Sequence, residues 1–240
     1  MKPTKFIDPT VDYAFKRIFG TDANKDLLID FLNAIFRGRK EIKDLYYNKN
    51  EHVGDTSKNG SVISDITCTT TSGEQFIIEV QRTPQTNFKR RILYNLSRLI
   101  ADQAQNDNQQ KWNKSFEESY IIALMDGFGM PGKQPSDQYF RTVSFTEQEI
   151  GRIFFDKVGL IFLELVNFKK KEDELENNLD RWLYVFKNMS KLDQIPQNLK
   201  TPIFEKLFNM AEYSNLEKKE RDMYDASLKR KWDQKAVQDY

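Results

Sequence analysis

The sequence predicts an α/β domain with a mixed β-sheet flanked by helices and a C-terminal helical part. Three observations predict it. Both ends of the chain carry apolar residues at helical spacing. The middle holds two β-rich runs joined by a short glycine-containing turn. A continuous apolar run of strand length, YIIALMDGF at 120–128, suits a strand buried on both faces.

From about Thr10 to Arg37 the pattern is helical, with Phe15, Ile18 and Phe19 on one face and Leu27, Leu28, Phe31, Leu32 and Ile35 repeating after them. Gly20-Thr21-Asp22 breaks the run, with Asp22 the expected cap of a second helix that Gly38 closes. Ile42 to Asn48 is short and β-prone, and residues 49–60 form a polar loop with two glycines. SVISDITCTT and EQFIIEVQR then read as a hairpin about Thr71-Ser72-Gly73. Helical spacing returns from about Asn87 to Gln110, where Ile92, Leu93, Leu96, Leu99 and Ile100 form the stripe. MPGKQPSD is a loop, and YFRTVSF and DKVGLIFLELVNF are two more strands.

After Phe168 the pattern is helical to the end: Leu175, Leu179, Trp182, Leu183 and Phe186, then Phe204, Leu207, Phe208 and Ala211. The last 25 residues are so charged that a solvated helix, a partner-binding helix and a frayed tail all fit. The expected division is a domain over residues 1–170 and a helical region over 171–240 packing on it, with the charged tail from about 216.

The totals exclude several chemistries. Charged residues are 30% of the chain, but the net charge is only +1, so attraction to nucleic acid or membrane would have to come from local patches. One cysteine, Cys68, permits no intrachain disulfide and favours a reducing compartment; it reads as a packed core thiol. One histidine, His52, cannot build a His-Cys zinc site with it, and reads as a surface residue of the polar loop. Any metal chemistry would use carboxylates, amides and carbonyls, hard ligands suited to Mg²⁺ or Mn²⁺. The N-terminus lacks an apolar signal region, and no run approaches the roughly 20 apolar residues of a membrane span, so the expected location is cytoplasmic, with no membrane partner. Trp112, Trp182 and Trp232 show no spacing for a stacking platform and suit a core or an interface.

The hairpin is where chemistry concentrates. Alternation puts Glu79 and Gln81 on one face and Phe76, Ile78 and Val80 on the other. Folding about Ser72 sets Asp65 opposite Glu79, with Cβ atoms roughly 4.5–5.5 Å apart. Their apolar flanks make ionised carboxylates costly unless a cation or donor compensates. A shared divalent ion would do so, and would serve phosphodiester hydrolysis by activating water and neutralising phosphate charge. Gln81 can position a water but cannot act as a base at ordinary pH. A solvent-facing hairpin with ordinary surface charges would show the same alternation.

Asp65, thirteen residues, then Glu79-Val80-Gln81 resembles the PD-(D/E)XK nuclease signature with Gln in the Lys position. DYAFKRIFG, LLIDFLNAIF, SDITCTTTSGEQFIIEVQR, FKRRILYNLSRL and LIFLELVNF, in that order, resemble the bacterial PD-(D/E)XK nuclease family of transposases, also described as recombination-promoting nucleases, over roughly residues 8 to 210. The resemblance implies a restriction-endonuclease-like core and a Mg²⁺- or Mn²⁺-dependent DNA endonuclease linked to recombination or transposition. It implies Asp65, Glu79 and the Val80 carbonyl as metal ligands, Gln81 as the third active-site residue, and Asp12 as an acidic residue joining the site. Glu51 is a further candidate ligand. Water activation by the metal alone and by a second group such as Lys89 both stay open.

Lys89, Arg90, Arg91 and Arg98 follow the hairpin on the predicted helix and could contact DNA phosphates, with Arg91 and Tyr94 facing the site together; a solvated face fits as well. Lys16-Arg17 and Arg37-Gly38-Arg39-Lys40 read as helix surface. Two-strand cleavage usually needs two active sites, which leaves a homodimer open. A catalytically inactive DNA- or protein-binding module derived from the same fold is the alternative function.

Overall fold

A computed structural model describes residues 4–48, 65–84, 86–106, 116–130 and 138–238, without the side chains of residues 65, 104–106, 235, 237 and 238. The elements run α1 (Asp12–Phe19), α2 (Lys25–Phe36), β1 (Leu45–Tyr47), β2 (Asp65–Thr70), β3 (Gln75–Gln81), α3 (Phe88–Asn106), β4 (Ser119–Met125), β5 (Phe140–Thr146), β6 (Ile153–Glu164), α4 (Asn178–Asn188), α5 (Pro202–Ala211) and α6 (Lys218–Gln238).

The six strands form one sheet in the order β1-β2-β3-β4-β6-β5. β1, β2 and β3 are antiparallel, β3, β4 and β6 are parallel, and β5 runs antiparallel to β6 at the edge. The parallel β3–β4 pair requires a crossover, which α3 supplies. β4, in the middle, is buried on both faces as its apolar run requires.

Each face has its own core. Phe76, Ile78, Val80, Ile122, Leu124, Ile161 and Leu163 pack under α1, α2, α4 and α5. There Trp182 lies 5.6 Å from Phe19 and 4.9 Å from Phe204, ring to ring, and its indole N–H donates to Asp30 at 2.6 Å. The opposite face is covered by α3: Ile77, Ile121, Ala123, Met125, Leu160 and Phe162 pack against Phe88, Ile92, Leu96 and Leu99.

Several expectations need correction. Asp22 does not cap the second helix; it starts a 3₁₀ turn, and Asn24 stands at the N-cap of α2. Arg37, with φ 50°, takes the left-handed position that ends α2, one residue before Gly38. Leu93 leaves the α3 stripe: Phe88, Ile92, Leu96 and Leu99 take the inward face, and Leu93, about 100° round the helix from Ile92, falls outside it. β6 starts at Ile153, earlier than the sequence suggested. The tail is no frayed segment where described. Tyr224 and Ser227 are buried on α6, and the Tyr224 hydroxyl accepts from the Asp8 N–H at 2.8 Å. The polar loop with Glu51 and His52, part of the MPGKQPSD loop, and Trp112 lie outside the described residues.

Among the described residues no helix is long and apolar enough to cross a membrane.

Candidate active site

The hairpin register is the one its turn dictates. Gly73 takes φ 100°, a conformation a side chain would resist, and Thr70 N–H donates to the Glu74 carbonyl at 2.8 Å to close the turn. Asp65 then pairs with Glu79 by Cα register, and Ile66 with Ile78. Because β3 is central, both of its faces are covered, and Glu79 and Gln81 lie beneath α3 rather than in open solvent.

Glu79 is the most confined acid of the hairpin among the described side chains. Its side chain is 1% exposed, and Arg91 Nη2 lies 3.3 Å from Oε1. Oε2 is buried and finds no hydrogen-bond donor among the described residues. Burial pushes the Glu79 carboxyl above the ordinary glutamate range, and the Arg91 guanidinium pulls against that push. The same Arg91 Nη2 donates to the Gln81 side-chain carbonyl, and the Gln81 amide donates to the Thr83 carbonyl at 2.8 Å. Gln81 is thus held at both ends. Helix phase explains Arg91: it stands three residues after the buried Phe88 in the first turn of α3, on the flank of the face turned to the sheet, from which it reaches β3.

The remaining candidates fall in three places. Lys89 and Arg90 are exposed on α3, and Arg98 sits half-buried with its guanidinium 5.7 Å from the Tyr94 ring. Asp12 opens α1, buried, 3.5 Å from Lys16. Val80 turns its side chain into the α1–α2 core and leaves its carbonyl on the β3 backbone between Glu79 and Gln81. Glu51 lies outside the described residues, as does the Asp65 side chain. Among the described residues no three His, Cys, Asp or Glu side chains are grouped to hold a metal ion.

Other expectations resolve simply. Cys68 is fully buried in β2, and burial pushes its thiol up to about 12. Arg17 pairs with Glu220 at 2.8 Å, Arg37 lies 4.5 Å from the Phe140 ring, and Lys40 reaches Glu118 at 2.5 Å, so these early cations serve the fold. Trp182 is core and Trp232 is exposed.

A second polar cluster, which no sequence motif marks, lies beside the site. Arg82 directly follows Gln81, and its Nε donates to the Thr10 carbonyl at 3.0 Å. Asp126 follows β4, and its N–H donates to the Gln81 carbonyl at 2.8 Å. Lys231 of α6 reaches Asp8 at 2.7 Å, Asp126 at 2.6 Å and the Thr10 hydroxyl at 2.6 Å. Burial works against the Lys231 ammonium, but Asp8 and Asp126 outweigh it and raise its pKa. Burial disfavours the Asp126 carboxylate too, yet Lys231, Thr10 and Arg82 hold its pKa low. Burial also lowers the Arg82 pKa, against the charges of Asp12, Asp8 and Asp126. These residues are about 115 to 220 positions apart in places, so only tertiary structure brings them together. The cluster clamps the start of α1, the ends of β3 and β4, and α6 into one unit next to Gln81.

Comparison with protein families finds that residues 9–240 match the family described as PD-(D/E)XK nuclease family transposase. The mixed six-stranded sheet with flanking helices agrees with the restriction-endonuclease-like fold of such nucleases. No curated protein and no solved structure matches the chain.

Proposed function

This chain belongs to the PD-(D/E)XK nuclease family of transposases, and from that premise we propose that it is a metal-dependent DNA endonuclease that hydrolyses phosphodiester bonds in recombination or transposition. The observation that carries the reading is the Cα pairing of Asp65 with a Glu79 whose buried Oε2 has no donor among the described residues. A buried carboxylate oxygen without a partner costs on the order of 1–3 kcal/mol or more, and a hard divalent cation removes that cost while leaving the carboxylate ionised, as a proton does not. The oxygen-only donor set of Asp65, Glu79 and the Val80 carbonyl fits Mg²⁺ or Mn²⁺.

When bound, such an ion supplies charge neutralisation at the phosphate and a lowered pKa for a water molecule. Asp65 and Glu79 would hold it from the adjacent strands β2 and β3, whose register pairs the two residues. Gln81, anchored through Thr83, presents its amide next to Glu79 and orients rather than deprotonates. Arg91 steadies the Glu79 carboxylate and places a fixed positive charge where phosphate charge would build up. Asp12, on the clamped start of α1, adds acidic charge at the rim. Lys89, Arg90 and Arg98 offer cations along α3 to the DNA backbone. In this reading residues 1–170 form the nuclease-like domain and 171–240 a helical region that braces it, and the cytoplasm is the setting. A homodimer, giving one site for each strand cut, is the oligomer that two-strand cleavage calls for.

Calorimetric titration of Mn²⁺ tests the site directly. Wild type is expected to bind, and Glu79→Gln and Asp65→Asn to lose the heat of binding. Equal heats in all three would sink the assignment. One observation favours a second reading, a binding module that no longer cleaves: the Arg91 guanidinium contacts both Glu79 and Gln81, an arrangement that also suits a structural ion pair. Salt-dependent DNA binding with no cleavage in any divalent metal would support that alternative.

A further inference from the structure

We propose that the outer half of the β5–β6 hairpin is the surface through which two copies of this chain associate. β6 pairs with β4 only from Val158 onward, where Val158 meets Ser119. Ile153 to Lys157 therefore run on past the paired part of β4, held by β5 through an irregular register and touching the rest of the chain where Phe155 lies 5.4 Å from the Phe116 ring and Lys157 donates to the Phe116 carbonyl at 2.6 Å. The tip is built rather than loose. Gly151 N–H donates to the Glu147 carbonyl and Glu147 N–H to the Arg152 carbonyl, both at 2.8 Å, and Gly151 takes φ 67° to close the turn.

This arm is apolar where it should be wet. Of the twelve large hydrophobic side chains exposed among the described residues, six lie between Val143 and Phe155, with Phe154 76% exposed and Ile150 68%. Six such side chains leave on the order of 600 Å² of apolar surface open, shared between the two faces and the tip of the ribbon. A standard interface buries about 800 Å² on each partner, which a copy that grips the arm along its open edge and over its apolar faces could approach.

Two features favour a second copy as the occupant. β5 is the outer strand, paired only with β6 among the described residues, so one row of its backbone groups is left to the outside. Two copies of one strand pair antiparallel about a two-fold axis and need no second sequence. Charge agrees. From residue 140 to 157 the cations are Arg141, Arg152 and Lys157 and the anions are Glu147, Glu149 and Asp156, so the arm is neutral and does not repel its copy. At the exposed tip Glu149 and Arg152 sit three residues apart, and a two-fold axis lets the acid of one copy face the base of the other. A neutral arm has no electrostatic pull toward an anionic membrane.

The arm leaves the sheet at the end away from Glu79, because β3, β4 and β6 are parallel and the site stands near their C-terminal ends. Association there leaves each site open, and the inference holds whether or not the chain cleaves DNA.

Light scattering on the full chain, at concentrations up to about 100 µM where micromolar association shows, is the test. Wild type is expected at twice the 28.4 kDa chain mass. The double variant Ile150→Asp and Phe154→Asp is expected at one chain mass. Both replaced side chains are exposed, so its circular dichroism and melting temperature should match wild type. Wild type that stays monomeric, or a folded variant that stays dimeric, overturns the proposal. Monomeric wild type that floats with phosphatidylglycerol vesicles, while the variant does not, would instead give the arm to a lipid surface.

Discussion

Replacing Arg91 with methionine takes a guanidinium away from a carboxylate that water scarcely reaches. The Glu79 side chain is 1% exposed, with Arg91 3.3 Å from its Oε1. Stranding one charge of such a buried pair costs about 3–5 kcal/mol if the charge survives. Glu79 has another route, which is to take up a proton. Protonating a carboxyl of ordinary pKa near 4.3 costs about 3.7 kcal/mol at pH 7 and about 1 kcal/mol at pH 5. The expected loss of stability is therefore about 3–4 kcal/mol at pH 7, falling to about 1 kcal/mol at pH 5. The direction follows from Glu79 itself, whose carboxyl burial raises. A raised carboxyl favours the folded state below its unfolded pKa and loses that advantage as pH climbs through the folded value; without Arg91 the loss deepens. Urea unfolding at several pH values, in a double-mutant cycle with Glu79→Gln, separates this pair from the other contacts of Arg91. Glu79→Gln should restore most of the stability in the Arg91→Met background and flatten its pH dependence. An equal loss at both pH values, or no restoration, refutes the reasoning.

The clamp makes a prediction of the same direction in pH, in a lower pH window, although the carboxyl concerned is held low rather than raised. Lys231→Met should cost about 3 kcal/mol at pH 7 and less below pH 4, because Asp126, held low by its neighbours against burial, supplies stability above the ordinary aspartate pKa that is lost as pH falls; thermal melts across pH check it. Cys68, with its thiol pushed up to about 12 by burial, should resist iodoacetamide in native protein and react fully in urea, as mass spectrometry would show. Trp182→Ala should cost about 3–5 kcal/mol in urea unfolding, because the ring joins α1, α2 and α5 through Phe19, Phe31 and Phe204; a loss under 1 kcal/mol would place the core elsewhere.

The hairpin register was legible from sequence because a turn centred on Ser72 allows few pairings, and burial on both faces of β3 penalises slippage. β4 was legible from composition alone, since a strand inside a parallel sheet has no wet face to write an alternation. What sequence could not carry was what depends on tertiary meeting. Ile150 and Phe154 have the composition of core residues, and only the length by which β6 outruns β4 leaves them outside. Lys231, in the most charged stretch of the chain, gives no spacing signal for its contacts with Asp8 and Asp126. Arg91 was visible as a cation near the hairpin, but its aim at Glu79 depends on how α3 lies across the sheet. Alternation did put Gln81 beside Glu79; that its amide is tied to Arg91 and Thr83 could be learned only from the fold.

The central claim, that Asp65 and Glu79 form a metal-dependent nuclease site, is tested most directly by nicking of supercoiled plasmid. Wild type should convert it to open-circular or linear DNA in Mg²⁺ or Mn²⁺ and stop when a chelator is added, and Glu79→Gln and Asp65→Asn, confirmed folded, should leave it supercoiled. Wild type that nicks nothing in either metal, or variants that nick as fast as wild type, would contradict the account.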